Sequence, residues 1–286
     1  SLCNLPRFEG EVLLERLRGK RMMFVGDSLG LNQWQSLTCM LHSTVPKAIY
    51  SLTRHGDLST FTFPSFNATV MFLRNAFLVD IVGTPRGRVL NLDSIEGGKA
   101  WKGVDILIFD SWHWWVHRGR KQPWDLIETR NTTYEDMDRL AAFGKGLLTW
   151  VKWVDSNLHP ATTKVFFQGI SPDHSDGMDW GRPEASHCSG ETRPVAGQGY
   201  PAGPHPAEVM AEEVLGGMSS PVSLLNVTAL SQLRKDGHPS VYGHGGGGAR
   251  ARRNASGAFV DCSHWCLPGV PDTWNLLLYT SIIQNN

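Results

Sequence analysis

Four short apolar runs set what this chain can fold into: residues 21–25 (RMMFV), 104–109 (VDILIF), 164–168 (KVFFQ) and 222–227 (VSLLNV). Runs of this length between turn residues read as buried strands. Residues 11–17, 29–41, 207–215 and 273–283 read as helices. The clearest helix begins near Thr133, where Thr133 and Asp136 have the spacing of a capping box. Leu140, Phe143, Gly144, Leu147, Leu148, Val151 and Val154 then recur at helical spacing. Residues 61–63, 69–73 and 77–82 form a β-rich stretch, with turns at Arg74-Asn75 and Gly83-Thr84-Pro85. Apolar strands separated by helices predict a mainly parallel sheet covered by helices on both faces.

With 286 residues, 41% hydrophobic and 19% charged, the chain can build a sizeable core, and wholesale disorder is excluded. No internal repeat and no dividing linker is visible, so residues 1–286 read as one catalytic domain. Two stretches read as flexible loops: 171–206, rich in Gly, Pro and His, and 236–257, with the run Gly245 to Gly248 before Arg250, Arg252 and Arg253. Lysines and arginines number 27, and aspartates and glutamates 27, so no net charge grips nucleic acid or an anionic membrane. No run of 18 apolar residues is present, which excludes a spanning helix from this sequence. A start at Ser1 without a signal peptide reads as a trimmed or mature product.

Four N-x-S/T sequons, at Asn67, Asn131, Asn226 and Asn254, point to a glycosylated protein of the secretory pathway. The cysteines Cys3, Cys39, Cys188, Cys262 and Cys266 suit an oxidising lumen. Five is odd, so at least one is free or has its partner elsewhere.

Two motifs carry the chemistry. In FVGDSLG, residues 24–30, Gly26 permits a tight turn and Ser28 lands between a strand end and a helix N-terminus. There its Oγ is exposed, and nearby backbone N–H groups can stabilise an oxyanion. The plainer reading is a strand–Gly–helix turn with Ser28 as N-cap. The segment matches G-x-S-x-G, but the α/β-hydrolase elbow normally follows several strands, and here only one precedes it. The second motif, VDCSHWCLP, spans residues 260–268. Asp261 lies three residues before His264, where it can fix the imidazole while the other ring nitrogen takes the Ser28 proton. A metal or structural site using Asp261, Cys262, His264 and Cys266 is the alternative, and the oxidising context favours disulfides over it.

G-D-S followed by Leu29-Gly30-Leu31-Asn32-Gln33-Trp34, with a C-terminal D-C-S-H-W-C-L-P-G-x-x-D-x-W-N, resembles the plant trichome-birefringence-like family over essentially the whole chain. Its members are Golgi polysaccharide O-acetyltransferases related to SGNH/GDSL esterases. The resemblance implies a Rossmann-like three-layer α/β/α fold and acetyl transfer through an acetyl-serine, with Ser28, Asp261 and His264 as nucleophile, acid and base. It also implies a Golgi lumen protein of type II topology. The family's N-terminal membrane anchor and Cys-containing segment are not among these residues. The family's Cys pairing falls on Cys188 and Cys262, leaving Cys3, Cys39 and Cys266 for the N-terminal segment. Where members often carry Arg-Asn-Gln, this chain has Leu31-Asn32-Gln33. In place of the esterase G-x-N-D it has Asp110-Ser111-Trp112-His113-Trp114-Trp115. Beyond the Ser28 backbone N–H, Asn32 and His113 are therefore the candidate oxyanion donors.

Eleven tryptophans, with Trp112, Trp114 and Trp115 clustered after a strand, suit a sugar cleft, because strand carboxyl ends bind ligands in such sheets. Core packing is the alternative for these indoles. Gln33 joins them as a candidate substrate contact. His42, His55, His174, His187 and His205 read as surface or loop histidines. The expected activity is acetyl transfer to plant cell-wall polysaccharide, with no metal and no tightly bound cofactor. The donor is acetyl-CoA or another acetyl ester. A polysaccharide acetylesterase with the same triad is the close rival, and a silent wall-polysaccharide binding protein the distant one. Residues 31–34 leave xylan-acting and pectin-acting branches open.

Overall fold

The computed structural model describes residues 5–197, 199–243, 252–253 and 259–284. In chain order the elements are α1 Gly10–Arg16, β1 Arg21–Gly26, α2 Ser28–Thr44, β2 Ser51–His55, β3 Leu58–Phe63, β4 Ala68–Arg74, β5 Asp80–Thr84, β6 Gly87–Asn91, β7 Ile106–Phe109, β8 Leu126–Thr129, β9 Thr132–Tyr134 and α3 Arg139–Asn157. β10 Lys164–Gln168, α4 Pro206–Gly216, β11 Val222–Leu225, α5 Thr228–Gln232, β12 Arg252–Arg253, β13 Phe259–Val260 and α6 Val270–Gln284 follow.

The main sheet runs β11-β10-β7-β1-β4-β3-β2. Its first five strands are parallel, and β3 and β2 extend it antiparallel. Because successive side chains of a strand point to opposite faces, β1 divides its residues between two cores. Met22 and Phe24 pack with Leu37, Leu41, Trp274 and Leu278 of α2 and α6. Met23 and Val25 pack with Phe143, Leu147 and Trp150 of α3. The expected helices on both faces of a parallel sheet are therefore present. A second sheet, β5-β6-β8-β9, packs Leu90 and Ile127 into the α3 core.

Three local expectations are corrected. Thr133 lies in β9, and helix α3 starts later, where the Asp138 carboxylate caps it by accepting the Ala141 N–H at 2.9 Å. The downstream apolar spacing was real, but strand pairing of Thr132–Tyr134 with β8 claimed the upstream residues. Residues 77–79 are not a strand: Phe77, Leu78 and Val79 plug the core, and the strand starts at Asp80. The 171–206 stretch is irregular yet packed: His174 and Trp180 are buried and Cys188 is bonded to Cys262. Gly245 to Gly248 and Arg250 lie outside the described residues, while the backbone of Arg252–Arg253 pairs with Phe259–Val260. Among the described residues no helix is long and apolar enough to cross a membrane.

Candidate active site

β1 is the fourth of seven strands, and the chain leaves it towards β4 on one side and later fills β7 on the other. That reversal opens a crevice at the carboxyl ends of β1 and β7, the usual ligand site of such sheets. Ser28 stands there as the first residue of α2. Asp27 is the N-cap, and its Oδ1 accepts the Leu29 N–H at 2.8 Å. The cap thus belongs to Asp27 and the Ser28 hydroxyl is left for other work.

The Ser28 Oγ donates to His264 Nε2 at 2.8 Å, and His264 Nδ1 donates to Asp261 Oδ2 at 2.9 Å. Asp261 Oδ1 also accepts the backbone N–H of Ser263 and His264 at 3.1 and 3.0 Å, which closes the D-x-x-H segment into a compact turn. Burial pulls the His264 imidazole down, but the Asp261 hydrogen bond and charge, helped by Asp27 and Asp173, leave its pKa raised. Burial pushes the Asp261 carboxyl up, yet its bonds to His264 and Ser263 bring it down to about 2. An ionised acid, a basic imidazole and a hydroxyl in line can activate an oxygen nucleophile and carry an acyl group.

The 261–266 turn is held from several sides. Asp261 exchanges backbone bonds with Ser240 at 2.8 and 3.0 Å, and the His174 N–H donates to the Cys262 carbonyl at 3.0 Å. Cys188 and Cys262 form a disulfide that ties the 171–206 stretch to this turn. With Cys262 oxidised, the four-residue metal alternative falls. Cys39 and Cys266 are exposed thiols, and Cys3 lies outside the described residues. Behind the turn His238 stacks on Trp265 at 4.1 Å and contacts both the His264 carbonyl, at 2.7 Å, and His174 Nδ1, at 2.6 Å. His174 lies in a loop, as one half of its reading has it, but it is fully buried rather than at the surface, and its Nε2 donates to the Gln232 carbonyl at 2.8 Å. His238 carried no motif that marked it; its role comes only from folding.

The remaining candidates divide. Asn32 is not aimed at the Ser28 oxygen: its Oδ1 accepts the Trp265 N–H at 2.8 Å and its Nδ2 donates to the Trp265 carbonyl at 3.3 Å, so it braces the turn. Gln33, one helical step on, is fully buried between α2 and α6 and cannot touch substrate. The His113 Nε2 donates to the Ser171 carbonyl at 2.9 Å, which removes that N–H from any oxyanion role. Trp115 is buried core, with its indole N–H on Ser111 Oγ at 2.8 Å. Trp114 is half-buried against His117. Trp112 does reach open space. With His113, Asp173, Tyr200 and His205 it lines a cavity of about 250 Å³. That cavity flanks the triad, since the Ser263 Oγ donates to Asp173 Oδ2 at 3.4 Å. Asn67, Asn131 and Asn226 are exposed, and Asn254 lies outside the described residues.

Residues 5–281 match the model of PC-Esterase, the GDSL/SGNH-like Acyl-Esterase family found in Pmr5 and Cas1p. Protein trichome birefringence-like 43 of Arabidopsis thaliana is 54% identical over 100% of this chain and 76% of its own length. Protein trichome birefringence-like 41 of the same plant is 54% identical over 99% of this chain and 77% of its own. Probable xylan O-acetyltransferase 8 of Oryza sativa subsp. japonica is 44% identical over 98% of this chain and 66% of its own. Fold, crevice and sequence agree, and the chain belongs to the GDSL/SGNH-like acyl-esterase family that includes the trichome birefringence-like proteins.

Proposed function

We propose that this enzyme transfers acetyl groups to plant cell-wall polysaccharide, of the xylan or pectin class, through an acetyl-serine. The carrying observation is the unbroken Ser28–His264–Asp261 chain at 2.8 and 2.9 Å. In the first half-reaction Ser28 Oγ attacks the donor's acetyl carbonyl and His264 Nε2 takes the hydroxyl proton. The same proton then goes to the leaving group, and the acetyl group stays on Ser28. In the second half-reaction His264 takes the proton of a sugar hydroxyl, whose oxygen attacks the acetyl carbon. Ser28 leaves and recovers the proton. The charge of Asp261 stabilises the imidazolium in both halves. At the start of α2 the Ser28 backbone N–H is the first oxyanion donor.

The donor is acetyl-CoA or another acetyl ester, with no resident cofactor or metal called on. Trp112 supplies an indole for an acceptor sugar ring in the adjoining cavity. The sequons and the disulfide support a luminal glycoprotein of the Golgi, held there by an N-terminal anchor. The family's description as acyl-esterase favours one second reading, in which water replaces the sugar hydroxyl and acetylated polysaccharide is stripped. Product analysis decides: purified protein, an acetyl donor and xylan, glucomannan or homogalacturonan oligomers should yield acetylated oligomers. Release of free acetate alone, with oligomers unchanged, would replace transferase by esterase.

A further inference from the structure

Asp110 follows β7 and is almost wholly buried, 5% exposed, directly beneath the Ser28 turn. Its Oδ2 accepts the Asp27 N–H at 3.3 Å, and the Gly30 N–H also donates to it. The turn is shaped around this carboxyl. A Cβ on Gly26 would sit 1.7 Å from Asp110 Oδ1, and one on Gly30 2.0 Å from the same atom. Real Cβ atoms never come that near, so both glycines of G-D-S-x-G are there because Asp110 is. The charged group acting on Asp110 is Asp27, itself 1% exposed, and both are acids. His264 and His117 feel the Asp27 charge, but it is Asp27 that faces Asp110.

Two buried carboxyls in hydrogen-bond contact, as Asp110 and Asp27 are, share one proton, because two adjacent like charges away from water cannot both stay ionised. The Asp27 side chain sits at the positive end of α2, where its Oδ1 accepts the Leu29 N–H at 2.8 Å. Burial, and then the charge and hydrogen bond of Asp27, hold the Asp110 carboxyl well above the ordinary carboxylate range.

We propose that Asp110 is a positioning residue for the nucleophile: beneath the turn its carboxyl accepts the Asp27 N–H, and as a neutral acid it would donate its own proton to the Asp27 carboxylate, locking the turn that presents Ser28. The pair then carries one proton and one negative charge. When Asp110 loses its proton, a second negative charge appears beside the first. The carboxyls repel and the Ser28 turn shifts away from His264. Activity is then bounded below by the ionisation of His264 and above by that of Asp110.

The kinetic arm of the test rests on the acetyl-serine reading; the spectroscopic arm does not. In the first arm, the acylation burst with a nitrophenyl acetate ester is followed against pH. Wild type should lose its burst rate in alkali. Asp110→Asn, whose amide donates without a proton to lose, should lack that alkaline fall and keep most of the rate. Asp110→Leu, if it folds, should lose about 10²-fold at every pH, as small misplacements of a nucleophile do. In the second arm, carbon NMR of aspartate-labelled Ser28→Ala protein should show one protonated aspartate at neutral pH. That signal should vanish in the Ser28→Ala, Asp110→Asn double variant. An unchanged alkaline fall in Asp110→Asn, or an ionised Asp110 at neutral pH, overturns the proposal. If wild type gives no burst at any pH, the acetyl-serine reading fails, and the NMR arm alone decides on Asp110.

Discussion

The two halves of the site are secured in opposite ways. The Ser28 turn is built mainly from local structure: a central strand ends, a glycine turns the chain, and a capped helix begins within residues 21–30, with Asp110 packed beneath it. The 261–266 turn has almost no regular structure of its own. It is held by Asn32, His174, Gly237, His238 and Ser240, and by the bond to Cys188. One half is fixed mainly by secondary structure around a buried carboxyl, and the other by many scattered long-range contacts. Losses at the first should therefore be chemical, and losses around the second should mix chemistry with stability.

The sharpest break in that comparison is at the reacting atoms. Ser28→Ala should abolish acetyl-enzyme, and His264→Ala should nearly do so, with losses of at least ~10³-fold, the size seen when a triad member goes. Ser28→Ala should move the thermal midpoint no more than a surface substitution does, while His264→Ala, on the second turn, should also lower it because Asp261 loses its partner. Intact-mass detection of the acetyl adduct, beside a melting curve, checks both halves of the statement. An acetyl adduct on the Ser28→Ala protein would remove Ser28 from the chemistry.

The disulfide sharpens the other side. Cys188 and Cys262 are 74 residues apart, so closing that loop contributes about 4 kcal/mol in the chain-entropy model. Replacing both by Ser should lower the unfolding free energy by that order, read from the fall in the denaturant midpoint together with the m-value. It should also loosen the turn that carries Asp261 and His264, so turnover falls with stability. Loss of stability with full turnover would mean the other contacts suffice to hold the turn.

Legibility in the sequence follows the same division. β1 and β10 are readable because short apolar runs between turn residues have few other uses. Ser28, Asp261 and His264 stood out as motif residues, and the Cys188–Cys262 pair came from family resemblance. What could not be read were partners distant in sequence. Asn32 reads from sequence only as a candidate oxyanion donor; the Trp265 backbone, 233 residues on, shows what its amide does. His238 and Asp110 have no local pattern at all, since their environments consist of groups brought together by folding. Tryptophan count misled for a plainer reason. Trp101, Trp115, Trp124, Trp150 and Trp274 fill the cores.

The histidines of the second turn give a pH test of intermediate size. Burial, the leading cause, lowers His174 to about 4 and His238 to about 3, against an unfolded value of 6.5. Between these values the unfolded chain binds more protons than the folded one, so stability is full above pH 6.5 and falls as pH drops towards 4. The loss should be on the order of 1–3 kcal/mol. His264 has the opposite sign: its raised pKa stabilises below 6.5 and that contribution fades as pH rises. Asp261 adds stability above 3.8 that disappears only as pH falls through about 2. Urea midpoints from pH 4 to 7 should therefore rise with pH in wild type. The slope should be smaller in His238→Asn, which keeps a donor for the His264 carbonyl without a titrating ring. An equal slope in the two proteins would remove the buried pair as its source.

The smallest expected effect lies at Trp112, on the crevice between the two halves. Trp112 is half-buried, with edge contacts to Phe143 at 5.1 Å and His205 at 5.7 Å, and its remaining surface lines the cavity. Aromatic pairs gain about 0.5–1.5 kcal/mol beyond area burial, and the C–H face of a sugar ring laid on an indole is taken to be of the same order. Trp112→Ala should thus weaken acceptor use by about three- to tenfold, read as a higher acceptor KM. Hydrolysis of acetyl-Ser28 needs no sugar ring, so it should change less, and the ratio of transfer to hydrolysis should fall. Water competes at high concentration, so an acceptor must be held close to win, and the indole's share in that hold is what the ratio measures. Trp115→Ala is the control, because its loss opens a hole in the α3 core, should cost about 3–5 kcal/mol of stability and should lower both reactions together. If Trp112→Ala depresses transfer and hydrolysis equally, the indole supports the fold rather than the acceptor, and the sugar-binding surface lies elsewhere along the crevice.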